Sequence, residues 1–368
     1  LERIFEGEFS GDKAMSTFLR EEEGPTWQQL LEEGKTCLSD AGVTESGLDA
    51  WYLLEASFGI DQVHFLMDRT RRVNRQRLEK SYPVYRDYLE KRASRIPIQH
   101  ILGNQEFMGL EFTVDENVLI PRQDTEKLVE TVLRDHKNQA LSVLDMCTGS
   151  GCIAVSLAVL GGYDKVTAAD ISKAALKVAK KNVRRHFLVQ KGTARSESTL
   201  ISDTPWKLKM CTYVYQGGDA QEQETAGESV SDNGYSPGIA RIPGVRKKEF
   251  VLLESDLFLN LEQDEKFDII VSNPPYIPSA VIDGLEPEVK DHEPRMALDG
   301  AEDGLYFYRI LAQQSGRYLK EGGFIYFEIG CDQAEAVGKL LTAAGFGEIE
   351  TIKDEPGLDR VVRACRNR

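Results

Sequence analysis

The chain has 368 residues, of which 41% are hydrophobic and 29% charged, and 45 Lys and Arg against 60 Asp and Glu give a formal net charge of −15. This composition is typical of a soluble globular protein, and at about 150 residues per domain the length allows two or three domains. Because the chain is acidic overall, we do not expect it to bind nucleic acid through the phosphates, although a local basic groove is compatible with the composition.

Hydropathy and cysteine usage exclude further classes of protein. The most apolar stretch, residues 152–160, is too short to span a bilayer, and no apolar run near the N-terminus resembles a signal peptide. The six cysteines form no C-x-x-C pair, which predicts neither a disulfide framework nor a zinc site. We therefore expect a cytoplasmic protein with no membrane association and no bound metal, and we expect it to be a monomer.

The N-terminal part of the chain is predicted to be helical. Residues 1–25 are interpreted as a poorly ordered extension, since Met15 resembles an ordinary start more than Leu1 does. Across residues 26–95, apolar residues recur at helical spacing, and glycine and proline residues divide the pattern into short helices. This segment is expected to form a small helical domain.

A β-hairpin linker is predicted to follow at residues 96–118. Hydrophobic and polar residues alternate there over 100–103 and 106–114, and Met108 and Gly109 supply the turn. The hairpin is expected to connect the helical domain to a larger domain that covers residues 119–368.

Strand and helix patterns alternate along this larger domain. Strands are predicted at 141–144, 165–169, 250–253, 267–271 and 324–329, with helices from 152, at 172–185, 306–319 and 334–344. Two further strands, 349–352 and 360–364, surround a Pro-Gly turn and place one antiparallel strand in the sheet. The expected fold is α/β, a doubly wound, mostly parallel, seven-stranded sheet. Residues 188–248 are interpreted as an insertion with a mobile centre at 216–238.

The first candidate site is a glycine-containing loop between a strand and a helix. It comprises Cys147, Thr148, Gly149, Ser150 and Gly151. Glycines let the backbone approach a ligand, and the start of the helix offers free N–H groups. The loop matches neither G-x-G-x-x-G nor a phosphate-binding P-loop, which disfavours a nicotinamide dehydrogenase.

An acidic residue at the end of the next strand sharpens the interpretation of this loop. Asp170 follows Gly149 by 21 residues, where a carboxylate can accept hydrogen bonds from both ribose hydroxyls of a nucleoside. The two features together favour a nucleoside-containing ligand over an ordinary tight turn.

The second candidate site is the segment Asn273-Pro274-Pro275-Tyr276, which follows a buried strand. Ligands of open α/β sheets bind at the carboxyl ends of the strands. The prolines remove backbone donors, so the Asn273 side-chain oxygen and the Pro274 carbonyl can accept both hydrogens of one planar NH₂ group. Tyr276 can stack on that plane.

These motifs resemble those of class I S-adenosylmethionine-dependent methyltransferases that modify planar NH₂ groups. Further blocks in order along the chain resemble the peptide chain release factor glutamine methyltransferase family, namely residues 95–103, 107–114, 118–126, 293–300 and 303–305. The resemblance runs from about Thr26 to Arg366 and is interrupted only by the insertion. It implies methyl transfer to the glutamine of the Gly-Gly-Gln motif of release factors, which would be the protein's partners.

The resemblance also implies a substrate-binding role for the helical domain of residues 26–95, and roles for individual residues. The loop from Cys147 to Gly151 would hold the methionine portion of S-adenosylmethionine, and Asp170 its ribose. Asp256 and Leu257 would lie beside the adenine. Asn273, Pro274, Pro275 and Tyr276 would bind the substrate glutamine, and Asn273 would also lie close to the transferable methyl group.

Two residues depart from the family pattern. Cys147 stands where many relatives have glycine, which we expect to be tolerated. Leu257 stands where some relatives place an aromatic residue, so a stacking contact with adenine is not expected there. The insertion is expected to loop into solvent rather than to overhang the cofactor.

The mechanism expected from these residues is direct in-line transfer without a covalent enzyme intermediate. Asn273 and the Pro274 carbonyl would hold the NH₂ group and bear the charge that develops on nitrogen. No histidine or carboxylate is an evident general base. Two alternatives remain open at this stage: a DNA adenine amino-methyltransferase, which would flip its base into the same site, and a non-catalytic S-adenosylmethionine-binding module.

Overall fold

The computed structural model describes residues 24–137, 140–187, 197–203, 207–215 and 245–367. The predictions for residues 1–23 and for the centre of the insertion at 216–238 therefore lie outside the described residues. The chain divides into two units, Leu1–Leu102 and Gly103–Arg368. No helix among the described residues is long and apolar enough to cross a membrane.

The first unit consists of helices. Its helices are α1 (Trp27–Asp40), α2 (Ser46–Phe58), α3 (Gln62–Asp68), α4 (Arg75–Ala93) and α5 (Ile98–Leu102). Helix α1 begins with a capping box, in which the Thr26 hydroxyl accepts from the backbone N–H of Gln29 and the Gln29 side chain accepts from that of Thr26. Apolar side chains of α1, α2 and α4 form the core of this unit.

Helix α5 corrects one detail of the sequence prediction. Residues 100–103 were expected to belong to the hairpin, but 98–102 are helical, and the hairpin consists of β1 (Asn104–Phe107) and β2 (Leu110–Thr113). Pro97 precedes the helix and its carbonyl accepts from the N–H groups of His100 and Ile101. Proline favours such a position because its fixed φ suits the first helical turn.

The second unit contains the large sheet. Its remaining strands are β3 (Ser142–Met146), β4 (Lys165–Asp170), β5 (Glu197–Asp203), β6 (Lys207–Tyr215), β7 (Val245–Glu254), β8 (Phe267–Ser272), β9 (Leu319–Glu328), β10 (Phe346–Lys353) and β11 (Asp359–Arg366). Its helices are α6 (Gln123–Asp135), α7 (Cys152–Ser156, continued as a π-helix over Leu157–Gly161), α8 (Lys173–His186), α9 (Ser279–Ile282), α10 (Pro287–Lys290), α11 (Arg295–Leu298), α12 (Tyr306–Tyr318) and α13 (Ala334–Ala343).

The strand order is β10-β11-β9-β8-β3-β4-β7-β6-β5. Strands β7, β4, β3, β8 and β9 pair in parallel, and β11 is antiparallel to both of its neighbours. The α/β fold class, the mostly parallel sheet and the antiparallel strand near the end are thus confirmed.

The sheet is wider than the seven strands that the sequence predicts. The seven expected strands are present, and β5 and β6 add two more at one edge, so nine strands are seen among the described residues. Both come from the insertion, and β6 pairs along the whole length of β7, from Lys207 opposite Leu253 to Tyr215 opposite Val245. The ends of the insertion therefore continue the sheet rather than looping into solvent.

Apolar side chains cover both faces of this sheet. Val143 packs into a cluster with residues of α6, α7 and α8, whereas Leu144 and Met146 pack into a second cluster with residues of α12 and α13. Neighbouring residues of β3 therefore point to opposite faces, as the pleat requires, and helices lie on both sides. The carboxyl ends of β3, β4, β7 and β8 lie at one edge of the sheet, where a ligand-binding crevice is expected.

Candidate active site

The glycine-containing loop after β3 has an unusual backbone. Cys147, Gly149 and Gly151 all have positive φ, at 62°, 54° and 80°. Gly149 has open space where a Cβ would be, whereas a Cβ on Gly151 would lie 3.2 Å from the Cβ of Ala179. Glycine accommodates this conformation without strain, but a cysteine does so only at a cost of about 1–2 kcal/mol. The backbone at position 147 therefore tolerates cysteine in place of glycine but does not favour it.

A buried carboxyl group in β3 forms a hydrogen bond with this loop. Asp145 is fully buried in β3, and its Oδ2 accepts hydrogen bonds from the Thr148 hydroxyl at 2.6 Å and the Ala154 N–H at 3.2 Å. Burial raises its pKa to about 7, and the two hydrogen bonds oppose that rise. The sequence signal that could have identified this residue is an acidic side chain inside an otherwise apolar strand.

Asp170 at the end of β4 connects two of the loops. Its Oδ2 accepts from the Gly149 N–H and its Oδ1 from the Ser172 N–H, both at 2.8 Å. Burial raises its pKa, and these backbone hydrogen bonds oppose the rise. The 21-residue spacing seen in the sequence thus corresponds to direct contact between the carboxylate and the loop.

The loop after β7 contributes a third segment. The Ser255 hydroxyl donates to the carbonyl of Leu257 at 2.6 Å and accepts from the Asn260 N–H at 3.0 Å. Leu257 adopts a left-handed conformation with φ of 47° and is largely buried. These contacts hold Asp256 and Leu257 at the carboxyl end of β7.

The Asn-Pro-Pro-Tyr segment follows β8 directly. The Ser272 hydroxyl, in the last residue of the strand, donates to the carbonyl of Met146 at 2.6 Å and so joins the ends of β8 and β3. Pro274 and Pro275 are buried, and Asn273 is half-buried. The Asn273 side-chain amide donates to the Thr125 hydroxyl, with 3.3 Å between Nδ2 and Oγ1.

Glycines pack against the backbone of Tyr276. A Cβ on Gly300 would lie 2.8 Å from the Tyr276 Cα, and a Cβ on Gly304 would clash with the Tyr276 carbonyl oxygen. That oxygen accepts from the Gln333 side chain at 3.0 Å. The Asp-Gly block at 299–304 is therefore needed for close backbone packing behind the tyrosine.

One cavity of about 250 Å³ lies between these loops. Of the candidate residues, Cys147, Gly149, Asp170, Asp256, Leu257, Asn273 and Pro275 line it. Thr148, Ser150 and Gly151 lie behind the wall, where Thr148 and Ser150 are buried. Pro274 and Tyr276 also lie outside the lining. The structure thus brings both sequence motifs to a single cavity but turns several of their side chains away from it.

Known proteins and family models match most of this chain in sequence. A family model described as the PrmC N-terminal domain matches residues 29–103, and one described as ribosomal protein L11 methyltransferase (PrmA) matches residues 124–204. A release factor glutamine methyltransferase from Geobacter sulfurreducens is 35% identical over 337 residues, which is 92% of this chain and 95% of that protein. One from Clostridium acetobutylicum is 36% identical, covering 86% of this chain and 90% of that protein. The chain belongs to the release factor glutamine methyltransferases.

A solved structure carries a related description. It is the protein-(glutamine-N5) methyltransferase (release factor-specific) from Alicyclobacillus acidocaldarius, which is 26% identical, with a TM-score of 0.32 and coverage of 70% of this chain and 100% of that chain. The family resemblance inferred from the sequence motifs is confirmed by the sequence relatives.

Several residues that line the cavity are not among the site residues predicted from the sequence. Most are apolar, and they come from the segments before α6, after β4 and around α11 and α12: Asn117, Val118, Leu119, Ile171, Ser172, Ala175, Pro294, Met296, Ala297, Tyr306 and Phe307. Ile171 is half exposed although it follows Asp170 directly, and exposed apolar side chains at a crevice are a recognisable signal of ligand binding. Met296 and Tyr306 are exposed in the same way, and the family-like blocks at 118–126 and 293–300 contain Val118, Leu119, Pro294, Met296 and Ala297.

Proposed function

We propose that this protein transfers a methyl group from S-adenosylmethionine to the side-chain amide nitrogen of the glutamine in the Gly-Gly-Gln motif of peptide chain release factors, and so modulates translation termination. The observation that carries the proposal is that Asn273 and Pro275 line the same cavity as Gly149 and Asp170, in a chain of this family. The substrate-binding and cofactor-binding motifs therefore meet at one place.

The cavity fits S-adenosylmethionine by the chemistry of its walls. Asp170 provides a carboxylate to the ribose hydroxyls, and the open face of Gly149 lets the loop backbone approach the methionine portion. Asp256, Leu257 and Ile171 line the cavity and would lie beside the adenine, to which Leu257 offers apolar contact without an aromatic ring. When bound, S-adenosylmethionine supplies a methyl group on a positively charged sulfur, which is already a strong electrophile.

The Asn-Pro-Pro-Tyr segment holds the substrate amide. The Asn273 side-chain oxygen and the Pro274 carbonyl accept the two hydrogens of the glutamine NH₂, because the prolines leave the segment short of donors. These contacts orient the nitrogen lone pair, and they stabilise the positive charge that develops on nitrogen as the new bond forms. Stacking of Tyr276 on the amide plane would require its ring, which lies outside the cavity lining, to turn toward the bound amide. The extra proton is released to solvent after transfer.

The same residues favour this function over the two alternatives. A DNA adenine methyltransferase would need phosphate-binding cations, and the chain carries a net charge of −15. A non-catalytic binding module has no need for an asparagine beside the cofactor space. We expect the protein to act on release factors as a cytoplasmic monomer that does not bind nucleic acid.

The test is transfer of radiolabelled methyl groups to purified release factors. We expect label on a release factor with the intact Gly-Gly-Gln motif and none on the Gly-Gly-Ala variant. Label on both proteins would refute the target residue, and label on adenine-containing DNA would favour the DNA enzyme. Absence of label from every acceptor, with S-adenosylmethionine still bound in a calorimetric titration, would favour the non-catalytic module.

A further inference from the structure

The side-chain amide of Asn273 has an identified partner on its NH₂ side. Nδ2 donates to Oγ1 of Thr125, which lies three residues into α6 and is only 2% exposed. An asparagine amide has one acceptor oxygen and one donor nitrogen. If the nitrogen is held by Thr125, the oxygen is the group left to face a substrate.

The donor on Thr125 is directed to a different group. The Thr125 hydroxyl also lies near the carboxyl group of Glu328, the last residue of β9: burial raises the pKa of that carboxyl, and the nearby hydroxyl opposes the rise. A hydroxyl has a single hydrogen, and an ionised carboxylate can only accept. When Glu328 is ionised, a Thr125 hydrogen directed toward it leaves the Thr125 oxygen to accept from Asn273. This arrangement agrees with the hydrogen bond in which Nδ2 of Asn273 donates to Oγ1 of Thr125, and it disfavours the flipped orientation of the Asn273 amide.

Glu328 is itself held in place. It is 2% exposed, and its Oε1 accepts from the Tyr276 hydroxyl at 3.4 Å. The Tyr308 hydroxyl donates to its backbone carbonyl at 2.6 Å. Its Oε2 makes no hydrogen bond with regular geometry among the described residues. Thr125 thus contacts Asn273 and Glu328 contacts Tyr276, the first and last residues of the Asn-Pro-Pro-Tyr segment, and neither Thr125 nor Glu328 lines the cavity.

We propose that Thr125 is a positioning residue that fixes the Asn273 amide with its oxygen toward the substrate, with Glu328 setting the direction of the Thr125 hydroxyl. This inference rests on the proposed function for its kinetic consequence. It concerns the orientation of a side chain, however, and that orientation can be measured without turnover.

The decisive variants are Thr125→Val and Thr125→Ser. Valine has the shape of threonine but no hydroxyl, so the Asn273 amide loses its partner and can turn over. We expect kcat to fall roughly ten- to hundredfold in Thr125→Val, since one hydrogen bond that orients the amide is lost. The dissociation constant for S-adenosylmethionine should change less than about twofold, because Thr125 is not among the residues that line the cavity. Serine keeps the hydroxyl and should restore kcat to within about threefold.

A matched control lies on the same helix. Thr131 is 1% exposed, and its hydroxyl donates to the carbonyl of Lys127 within α6, away from Asn273. Thr131→Val should leave kcat unchanged. The inference is overturned if Thr125→Val retains the wild-type kcat, or if Thr125→Ser loses as much as Thr125→Val.

An NMR measurement separates this inference from the proposed function. In protein labelled with ¹⁵N at asparagine, the Asn273 side-chain NH₂ signal, identified by its loss in Asn273→Asp, should exchange slowly with solvent in wild type and Thr125→Ser. It should exchange at least about tenfold faster in Thr125→Val, and equal exchange would overturn the inference. Failure of the wild type to methylate release factors would instead overturn the proposed function and leave this readout intact.

The pH profile gives a further readout that a purely structural role would not change. Burial raises the pKa of Glu328 to about 7, and only the ionised form requires the Thr125 hydroxyl to donate to it. The charged and titratable groups around Glu328 are Arg360, Asp124, Tyr276, Tyr308 and Cys152. We expect wild-type kcat to rise with pH through about 7 and this rise to disappear in Thr125→Val. A rise of equal size in both proteins would contradict the inference.

Discussion

Nη2 of Arg122 donates to both carboxyl oxygens of Glu293, at 2.9 and 2.7 Å, and joins two sequence blocks that are 171 residues apart. The Glu293 side chain is 1% exposed, whereas that of Arg122 is 42% exposed. One partner of this ion pair is therefore buried and depends on the other for its charge balance. The pair fixes the start of α6, which carries Thr125, against the segment before α11.

We expect Arg122→Ala to destabilise the protein in a pH-dependent way. Burial raises the pKa of Glu293 above 4.5, and Arg122 opposes the rise. Without Arg122 the folded-state pKa of Glu293 rises further. Protonated Glu293 then stabilises the folded state below pH 4.5, and this stabilisation is lost as the pH increases through the raised pKa. The loss at pH 8 should be roughly 2–3 kcal/mol, less than the about 3–5 kcal/mol of a fully buried pair, because Arg122 is partly exposed. Urea unfolding at pH 5 and pH 8 measures this, and equal losses would contradict it.

Asn273→Ala should abolish most of the methyl transfer. Removal of the side-chain oxygen takes away one of two groups that hold the substrate NH₂, and loss of one such preorganised group typically costs about 10²–10³ in kcat. Cofactor binding by calorimetry should be largely unchanged. A variant that retains activity within twofold of wild type would refute the assigned role.

Asp170→Asn should weaken binding of S-adenosylmethionine. The carboxylate accepts from two backbone N–H groups, and an amide presents a donor to one of them, so the loop around Gly149 loses its support. Hydrogen bonds to charged groups contribute about 1.5–3 kcal/mol each, which predicts a tenfold to hundredfold increase in Kd. Asp264→Asn, at an exposed position outside the cavity lining, is the control and should bind normally. Equal Kd values for the two variants would contradict the prediction.

Gly300→Ala should disturb the tyrosine of the Asn-Pro-Pro-Tyr segment. The new Cβ would lie 2.8 Å from the Cα atoms of both Tyr276 and Gly304, and backbone cannot move aside cheaply. We expect a loss of about 1–3 kcal/mol in the free energy of unfolding together with reduced activity. Gly316→Ala is the matched control, because its Cβ would meet nothing within 4 Å and it lies in α12. That variant should be stabilised by about 0.5–1 kcal/mol. Thermal unfolding and initial rates distinguish the two.

The free cysteines should differ in reactivity. Cys331 is exposed, whereas burial raises the pKa of Cys147, which keeps that thiol protonated at neutral pH. Because the thiolate is the reactive form, iodoacetamide at pH 7.5 should label Cys331 at least about tenfold faster than Cys147. Peptide mass spectrometry measures both rates, and Cys331→Ser removes the fast signal as a control. Comparable rates at the two sites would contradict the raised pKa of the Cys147 thiol.

The features that depend on short-range sequence patterns could be predicted from the sequence. The strands β3, β4 and β8 have apolar runs that end in a glycine loop, an acidic residue or Asn-Pro-Pro-Tyr, and the direction of a parallel sheet places these ends at one edge. The α/β class and the shared cavity for Gly149, Asp170 and Asn273 follow from that arrangement. The roles of these residues remain predictions until the variants are measured.

Other features were decided by the tertiary structure. The hydrogen bond between Thr125 and Asn273 spans 148 residues, and β6, which pairs with β7, lies within the insertion. Neither has a local sequence signature, because a hydroxyl on an apolar helix face and a strand in an insertion are each compatible with many surroundings. The sequence by itself determined which chemical groups reach the carboxyl edge of the sheet. Only the packing of distant segments decided which of those groups face the cavity and which ones hold them in place, since such contacts depend on the register and path of the whole chain.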